Sequence, residues 1–309
     1  MEKNNEIEEQ KKYLVNKMTR WYDQSNVIFE MFFLALRRRE FVVLTPKMLK
    51  NFSSFAGIRC LSCVSTDGLK FNLHNIKYVQ ENNPVQLYYS LTTYEKGLPR
   101  FNNVFRFRTT QVEEWKKEHH KHIISYDMLI DIDSPDISSM DTAKEDCYKI
   151  MNVLSQHGLK YYVRFSGMGY HIIVPHECFA HLNYHFNPHN DIENSIYILF
   201  NDITEWLHDT VSEFVDTGLH DSRRITKVPY SLAMYQNGTF VCWPFKTRQE
   251  FIKHNYKDYR IDTYCKFKGE QPLYRRGQGI FNPDWSKEGI NKLVKEVKQH
   301  VTKKKNTRR

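Results

Sequence analysis

The stretch Met128-Leu129-Ile130-Asp131-Ile132-Asp133-Ser134-Pro135-Asp136 places two aspartates in an apolar run that ends at a turn signal. It reads as a buried strand with carboxylates at its exit, since Ser-Pro-Asp favours a turn over further pairing. Side chains alternate along a strand, so Asp131 and Asp133 share one face and Ile132 takes the other. Two carboxylates held that close raise each other's pKa unless a cation lies between them. A hard divalent ion such as Mg²⁺ fits, because it takes oxygen ligands and keeps positions open for water or phosphate. A pair of solvent-facing aspartates at a strand end has the same spacing, and D-x-D alone does not separate the two readings.

Outward from this stretch the chain reads as a mixed α/β (α+β) protein. Towards the N-terminus, Leu87-Tyr88-Tyr89-Ser90-Leu91 is a β-prone run, and Arg39-Glu40-Phe41-Val42-Val43-Leu44 is a strand stopped by Pro46. Residues 6–39 alternate charged and apolar positions at helical spacing and predict one or two helices packed on the core as a flank of about residues 1–38. Towards the C-terminus, a helix over 141–156 ends at Gly158, and strands follow over 160–166 and 170–175. A loop is expected over 176–190 and a long amphipathic helix over 192–214. Gln236-Asn237-Gly238 marks a hairpin, residues 287–301 a last helix, and residues 303–309 a disordered basic tail. The whole reads as one catalytic domain over 1–302, with its core from about residue 39.

Two further clusters carry polar chemistry. Ser166-Gly167-Met168-Gly169-Tyr170-His171 joins two strands through glycines that let backbone N–H groups approach a phosphate, with a serine hydroxyl and a histidine as added donors. A tight hairpin with a satisfied histidine would look the same. The run from Asp216 to Leu232 holds an acid after Phe214-Val215, then Arg223, Arg224 and Lys227, then Pro229. It offers one more metal carboxylate and positive charge for a triphosphate, or simply a salt-bridged loop.

The chain has 45 Lys+Arg against 36 Asp+Glu, a formal charge of +9, which favours a polyanionic partner such as nucleic acid. No apolar leader or membrane-length apolar run is present, so an intracellular, soluble protein is expected. Its six cysteines are scattered apart from Cys60 and Cys63, which suggests free thiols.

An acid pair at a strand end, a serine-histidine turn after an intervening helix, and a third acid followed by Arg/Lys-x-Pro-x-Ser together resemble the archaeo-eukaryotic primase superfamily. The likeness is to the small catalytic subunit of replicative DNA primase, archaeal type. Arg39-Glu40-Phe41, Leu87-Tyr88-Tyr89-Ser90 and the run from Asp221 to Leu232 follow its patterns, with Lys227 where arginine is usual. The resemblance implies a core of two abutting sheet-and-helix modules. It implies Asp131, Asp133 and Asp216 as the Mg²⁺ or Mn²⁺ triad, and Ser166, His171, Lys227, Arg224 and Arg39 as nucleotide contacts. Asp221 is the rival for the third acid. The implied activity is two-metal primer synthesis on single-stranded DNA from nucleoside triphosphates, RNA and possibly DNA, with a large subunit as partner and no membrane. A stand-alone primase-polymerase of a mobile element, an end-joining repair polymerase and an inactive nucleic-acid-binding module are the alternatives. Relatives carry a zinc module between the first two motifs, whereas here residues 133–166 offer only Cys147 and His157; Cys60 and Cys63 with His119, His120 and His122 are candidates for a relocated zinc site.

Overall fold

The computed structural model describes residues 21–22, 39–44, 58–60, 86–94, 121–186, 194–222, 224–235, 238–261, 279–282 and 284–307. Its strands are β1 (Arg39–Leu44), β2 (Ile58–Cys60), β3 (Gln86–Tyr94), β4 (Ile123–Tyr126), β5 (Met128–Asp133), β6 (Tyr162–Phe165), β7 (Gly169–Val174), β8 (Ile225–Lys227), β9 (Leu232–Tyr235), β10 (Gly238–Val241) and β11 (Trp243–Pro244). Its helices are α1 (Met140–Gln156), α2 (Ile196–Thr210), α3 (Arg248–Lys253) and α4 (Lys287–Thr307). The fold is mixed α/β with antiparallel sheets, as expected.

β3 organises the first sheet. β1 pairs along one edge, while β4 and β8 share the other end to end, β4 opposite Thr92–Tyr94 and β8 opposite Tyr88–Ser90. The second sheet runs β11-β6-β7-β5, and β9 and β10 form a separate hairpin. Between β4 and β5 the chain passes from one sheet to the other through Asp127, whose N–H donates to Leu91 O at 3.1 Å. Arg39 pins this crossing: its guanidinium pairs with the Asp127 carboxylate and donates to Ser90 O (2.9 Å) and Leu91 O (2.8 Å). Asp127 also accepts from the His176 N–H, so the second sheet's far end is tied to the same carboxylate.

β5 is buried along its length apart from Asp133, which explains why its sequence is almost continuously apolar. α1 packs on β5 and β7, burying Ala143, Cys147, Ile150, Met151 and Leu154. Each large aliphatic group so buried contributes roughly 1.5–3 kcal/mol. Trp21 and Tyr22 belong to the same continuous core; Trp21 Nε1 donates to Tyr230 O and the Tyr22 hydroxyl accepts from Leu232 N. The rest of the expected helical flank lies outside the described residues.

Two boundaries differ from the sequence reading. α2 stops at Thr210 rather than 214, because Ser212 turns back to donate its hydroxyl to the buried Asp146 carboxylate (2.7 Å) and Phe214–Asp216 then runs beside β5. The last helix extends to Thr307, so Lys303, Lys304 and Lys305 are helical rather than a disordered tail. Lys304 is held by Glu205 (2.7 Å) and Asp209 (2.6 Å), both on α2, and this pairing anchors the helix end. Among the described residues no helix is long and apolar enough to cross a membrane.

Candidate active site

In the second sheet, Asp131 lies opposite His171 on β7, and His171 lies opposite Arg164 on β6. Residues paired across an antiparallel sheet share a face, so Arg164, His171 and Asp131 form one row on the face opposite α1. Each member reaches across to the β8 segment of the other sheet. Arg164 donates to Lys227 O (2.7 Å) and to the Tyr89 hydroxyl (2.6 Å), His171 Nδ1 meets Thr226 Oγ1 at 2.9 Å, and Arg224 Nη2 lies 3.2 Å from Asp131 Oδ2. The row is the seam of the two sheets. One step nearer the turn, Asp133 lies opposite Gly169, which Ser166 faces across the turn.

Asp216 completes the acid group. The segment after α2 lies along the free edge of β5: Asp133 N donates to Phe214 O (3.0 Å), Val215 bridges Ile132, and Asp216 N donates to Asp131 O (2.8 Å). Oxygens of Asp131, Asp133 and Asp216 all lie within 4.8 Å of one another, the one such cluster of acids, histidines or cysteines among the described residues. Asp221, the rival third acid, is not part of it.

The charges do not balance. Burial by itself would raise the Asp131 pKa, but His171, Lys227 and Arg224 outweigh it and hold the carboxyl below the usual range. Loss of solvent and then the Asp131 charge push Asp133 up to about 6, against the opposing pull of Lys227. Asp216 is raised for the same two reasons. His171 is lowered by burial, with Asp131 resisting. Three oxygen donors of this kind, two of them strained towards protonation, suit a hard divalent cation, which would relieve the repulsion. Asp131, Asp133 and Asp216 would hold it.

Ser166 is fully buried, and its hydroxyl has no hydrogen-bond partner among the described residues. The turn it opens needs its glycines. Gly167 has φ +111°, and a side chain there would collide with Ala233 and Tyr235; a Cβ on Gly169 would fall 1.9 Å from Ile132 O. Lys227 Nζ donates to the Tyr235 hydroxyl at 2.8 Å, so Tyr235 backs both this turn and the lysine.

Ser166, His171, Lys227 and Arg224 thus gather around the acid cluster, while Arg39 does not. Its side chain is 3% exposed and committed to Asp127, Ser90 and Leu91, which makes it a staple between the sheets rather than a free phosphate contact. Of the zinc candidates, Cys60, Cys63, His119 and His120 have side chains outside the described residues. Cys147 is buried in the core, and His157 meets Val153 O and Glu296, so neither joins a metal group. Sequence reasoning missed Thr226, Tyr235, Arg164 and Asp146. Strand alternation from His171 gives a signal for Arg164 alone, once β6 and β7 are paired; the other three act through contacts between elements distant in sequence.

No protein family and no curated protein matches this sequence. Among solved structures, the fold is similar to the polymerase domain from Mycobacterium tuberculosis ligase D in complex with DNA, with a TM-score of 0.48 and 11% identity over 88% of this chain and 93% of that one.

Proposed function

We propose that this chain is a template-dependent nucleotidyltransferase that adds nucleoside triphosphates to a 3′-hydroxyl and releases pyrophosphate. One observation carries the reading: a three-carboxylate cluster sits at the seam of two sheets, directly beside Arg224, Lys227, His171 and the Ser166 turn. Acids next to cations in this layout suit a metal-bound triphosphate, because the acids hold the metal while the cations meet the phosphate oxygens.

Divalent ions bound there would lower the pKa of the attacking hydroxyl and offset charge on the leaving pyrophosphate. Asp131, Asp133 and Asp216, carried by β5 and the segment laid against it, would hold the ions. The Ser166 hydroxyl and the N–H groups of its turn bind phosphate oxygens, with Lys227 held ready by Tyr235. His171 donates through Nε2, and Arg224 contributes charge at the mouth. Catalysis then rests on positioning and electrostatics, with no covalent enzyme intermediate.

Primer synthesis as the catalytic subunit of a replicative primase, with a large subunit and a single-stranded DNA template, is the finer reading supported by the R-E-F and D-x-R-R agreement. The stand-alone or end-joining polymerase is favoured by a specific observation: the two soft ligands of the interval between Asp133 and Ser166 are used by the fold, Cys147 in the core and His157 against Val153 O and Glu296. Single-stranded template, nucleoside triphosphates and Mg²⁺ or Mn²⁺, with and without an annealed primer, distinguish them on a sequencing gel. Products without primer support the primase reading, and extension of a primer alone supports the polymerase reading. Incorporation that survives excess chelator or Asp131→Asn would refute both.

A further inference from the structure

Thr226 belongs to the first sheet and His171 to the second, yet the threonine hydroxyl lies 2.9 Å from His171 Nδ1, with both residues buried. The other ring nitrogen, Nε2, is 3.1 Å from Asp131 Oδ1. A carboxylate oxygen only accepts, so the nitrogen facing it must carry the hydrogen. In the neutral ring Nδ1 is then the bare nitrogen, and the Thr226 hydroxyl is the donor that satisfies it. Asp131 Oδ1 has no aligned hydrogen-bond donor among the described residues, so the contact with Thr226 is the hydrogen bond that sets the plane of the ring.

We propose that Thr226 is the positioning residue for His171: by donating across the sheet seam to Nδ1, it holds the ring so that Nε2–H points at the acid cluster and the triphosphate. The inference deepens the proposed function and rests on it for the identity of the ligand. Three features of the structure bear on it. Thr226 is anchored on both sides in sequence, by Arg224 O accepting from Leu91 N at 3.0 Å and by Lys227 pairing with Tyr88, so its hydroxyl has little freedom to move away. Arg164, the neighbour of His171 in the row, grips Lys227 O and Tyr89, which ties β6, and with it the paired β7, to β8. Lys227, the next residue, points at Tyr235 beside the Ser166 turn, so a shift of β8 would move the lysine and the histidine together. Small rotations of a group that touches a reacting phosphate are costly, because the hydrogen bond weakens steeply off its line.

Thr226→Val keeps the shape and removes the donor; Thr226→Ser restores it. Two readouts apply to each variant, the Nδ1 position of His171 in ¹⁵N-detected ring spectra and the dissociation constant for a nucleoside triphosphate with Mn²⁺. The bare Nδ1 resonance is expected to move towards the unbonded, pyridine-like position in Thr226→Val and to return in Thr226→Ser. Nucleotide binding should weaken roughly fivefold to tenfold in Thr226→Val, the loss of about one hydrogen bond, and recover in Thr226→Ser. If Thr226→Val does not fold, Thr226→Ala gives the same comparison. An unmoved Nδ1 resonance refutes the positioning role whatever the nucleotide does. A moved resonance with unchanged nucleotide affinity refutes it as well, since the ring would then be held for the fold alone. A wild-type chain that binds no nucleoside triphosphate overturns the proposed function, and with it the ligand half of this inference.

Discussion

Asp133→Asn should make the metal-free protein more stable while removing much of what a metal ion adds. In the folded chain its carboxyl is pushed from 3.8 up to about 6, so ionisation is disfavoured there relative to the unfolded chain. Between those two values the folded state holds more protons, so this group's contribution declines as pH rises, and the penalty is complete above about 6. The full shift corresponds to roughly 3 kcal/mol. Asp133 is exposed, however, and solvent screening reduces the stability effect to about 1 kcal/mol. A neutral asparagine of the same shape escapes the penalty, which raises the melting temperature by about 2 °C for a chain of this size at pH 7.5. The gain should fade towards pH 4, where the native aspartate is protonated too. Saturating Mn²⁺ reverses the order: an ion at 100 times its dissociation constant stabilises the wild type by about 2.7 kcal/mol, and the variant with one ligand fewer gains much less. Differential scanning fluorimetry in chelator and in Mn²⁺, at pH 4.5 and 7.5, gives all four numbers. A variant less stable than wild type in chelator at pH 7.5, or one that keeps the whole metal gain, would refute the argument that these acids repel one another and wait for a cation.

Further expectations concern the residues around the cluster. Asp216→Asn should abolish metal-dependent stabilisation and turnover, whereas Asp221→Asn, outside the cluster, should keep metal dependence; a metal titration of both variants checks this, and the opposite result moves the third ligand five residues on. Ser166→Ala should weaken triphosphate binding by roughly 1.5–3 kcal/mol while leaving template affinity within twofold in fluorescence anisotropy, if the hydroxyl serves the triphosphate as proposed and not the template backbone. Arg39→Met should cost about 3–5 kcal/mol of stability in denaturant unfolding, since it leaves the Asp127 carboxylate buried and unpaired; a nucleotide defect without that loss would restore Arg39 to the binding site. Template affinity should fall steeply with salt, as expected where lysines and arginines displace condensed counterions.

The sequence carried the local pieces and not their meeting points. β5, the Ser166 turn and α1 could be read because each declares itself within ten to twenty residues: alternation for the acid pair, glycines for the turn, helical spacing ended by Gly158. Asp216 could be placed only by its Phe-Val-Asp context, and what seats it is the Ser212 hydroxyl bound to Asp146, 66 residues away. The reading of residues 192–214 as one helix failed at that point, since helical spacing persists through Phe214 while a single serine-to-aspartate contact turns the chain out. The basic tail failed for a related reason. A run of lysines is disordered on composition alone, but Lys304 meets Glu205 and Asp209 on a helix nearly a hundred residues earlier.

Arg39 shows the same limit from the opposite direction. A motif match fixes the residue type and leaves the direction of its side chain open, and an arginine that opens a strand can face a ligand or its own fold. Here the choice was made by Asp127, the residue where the chain leaves one sheet for the other. An arginine at that crossing satisfies two carbonyls of β3 and one buried carboxylate at once, and those bonds would have to be given up before the guanidinium reached a phosphate. The seam itself therefore divides the basic residues by their partners: Arg39 and Arg164 point back into the sheets and grip their carbonyl oxygens, whereas Arg224 lies against the Asp131 carboxylate and Lys227 against the Tyr235 hydroxyl, the side on which the proposed triphosphate would bind.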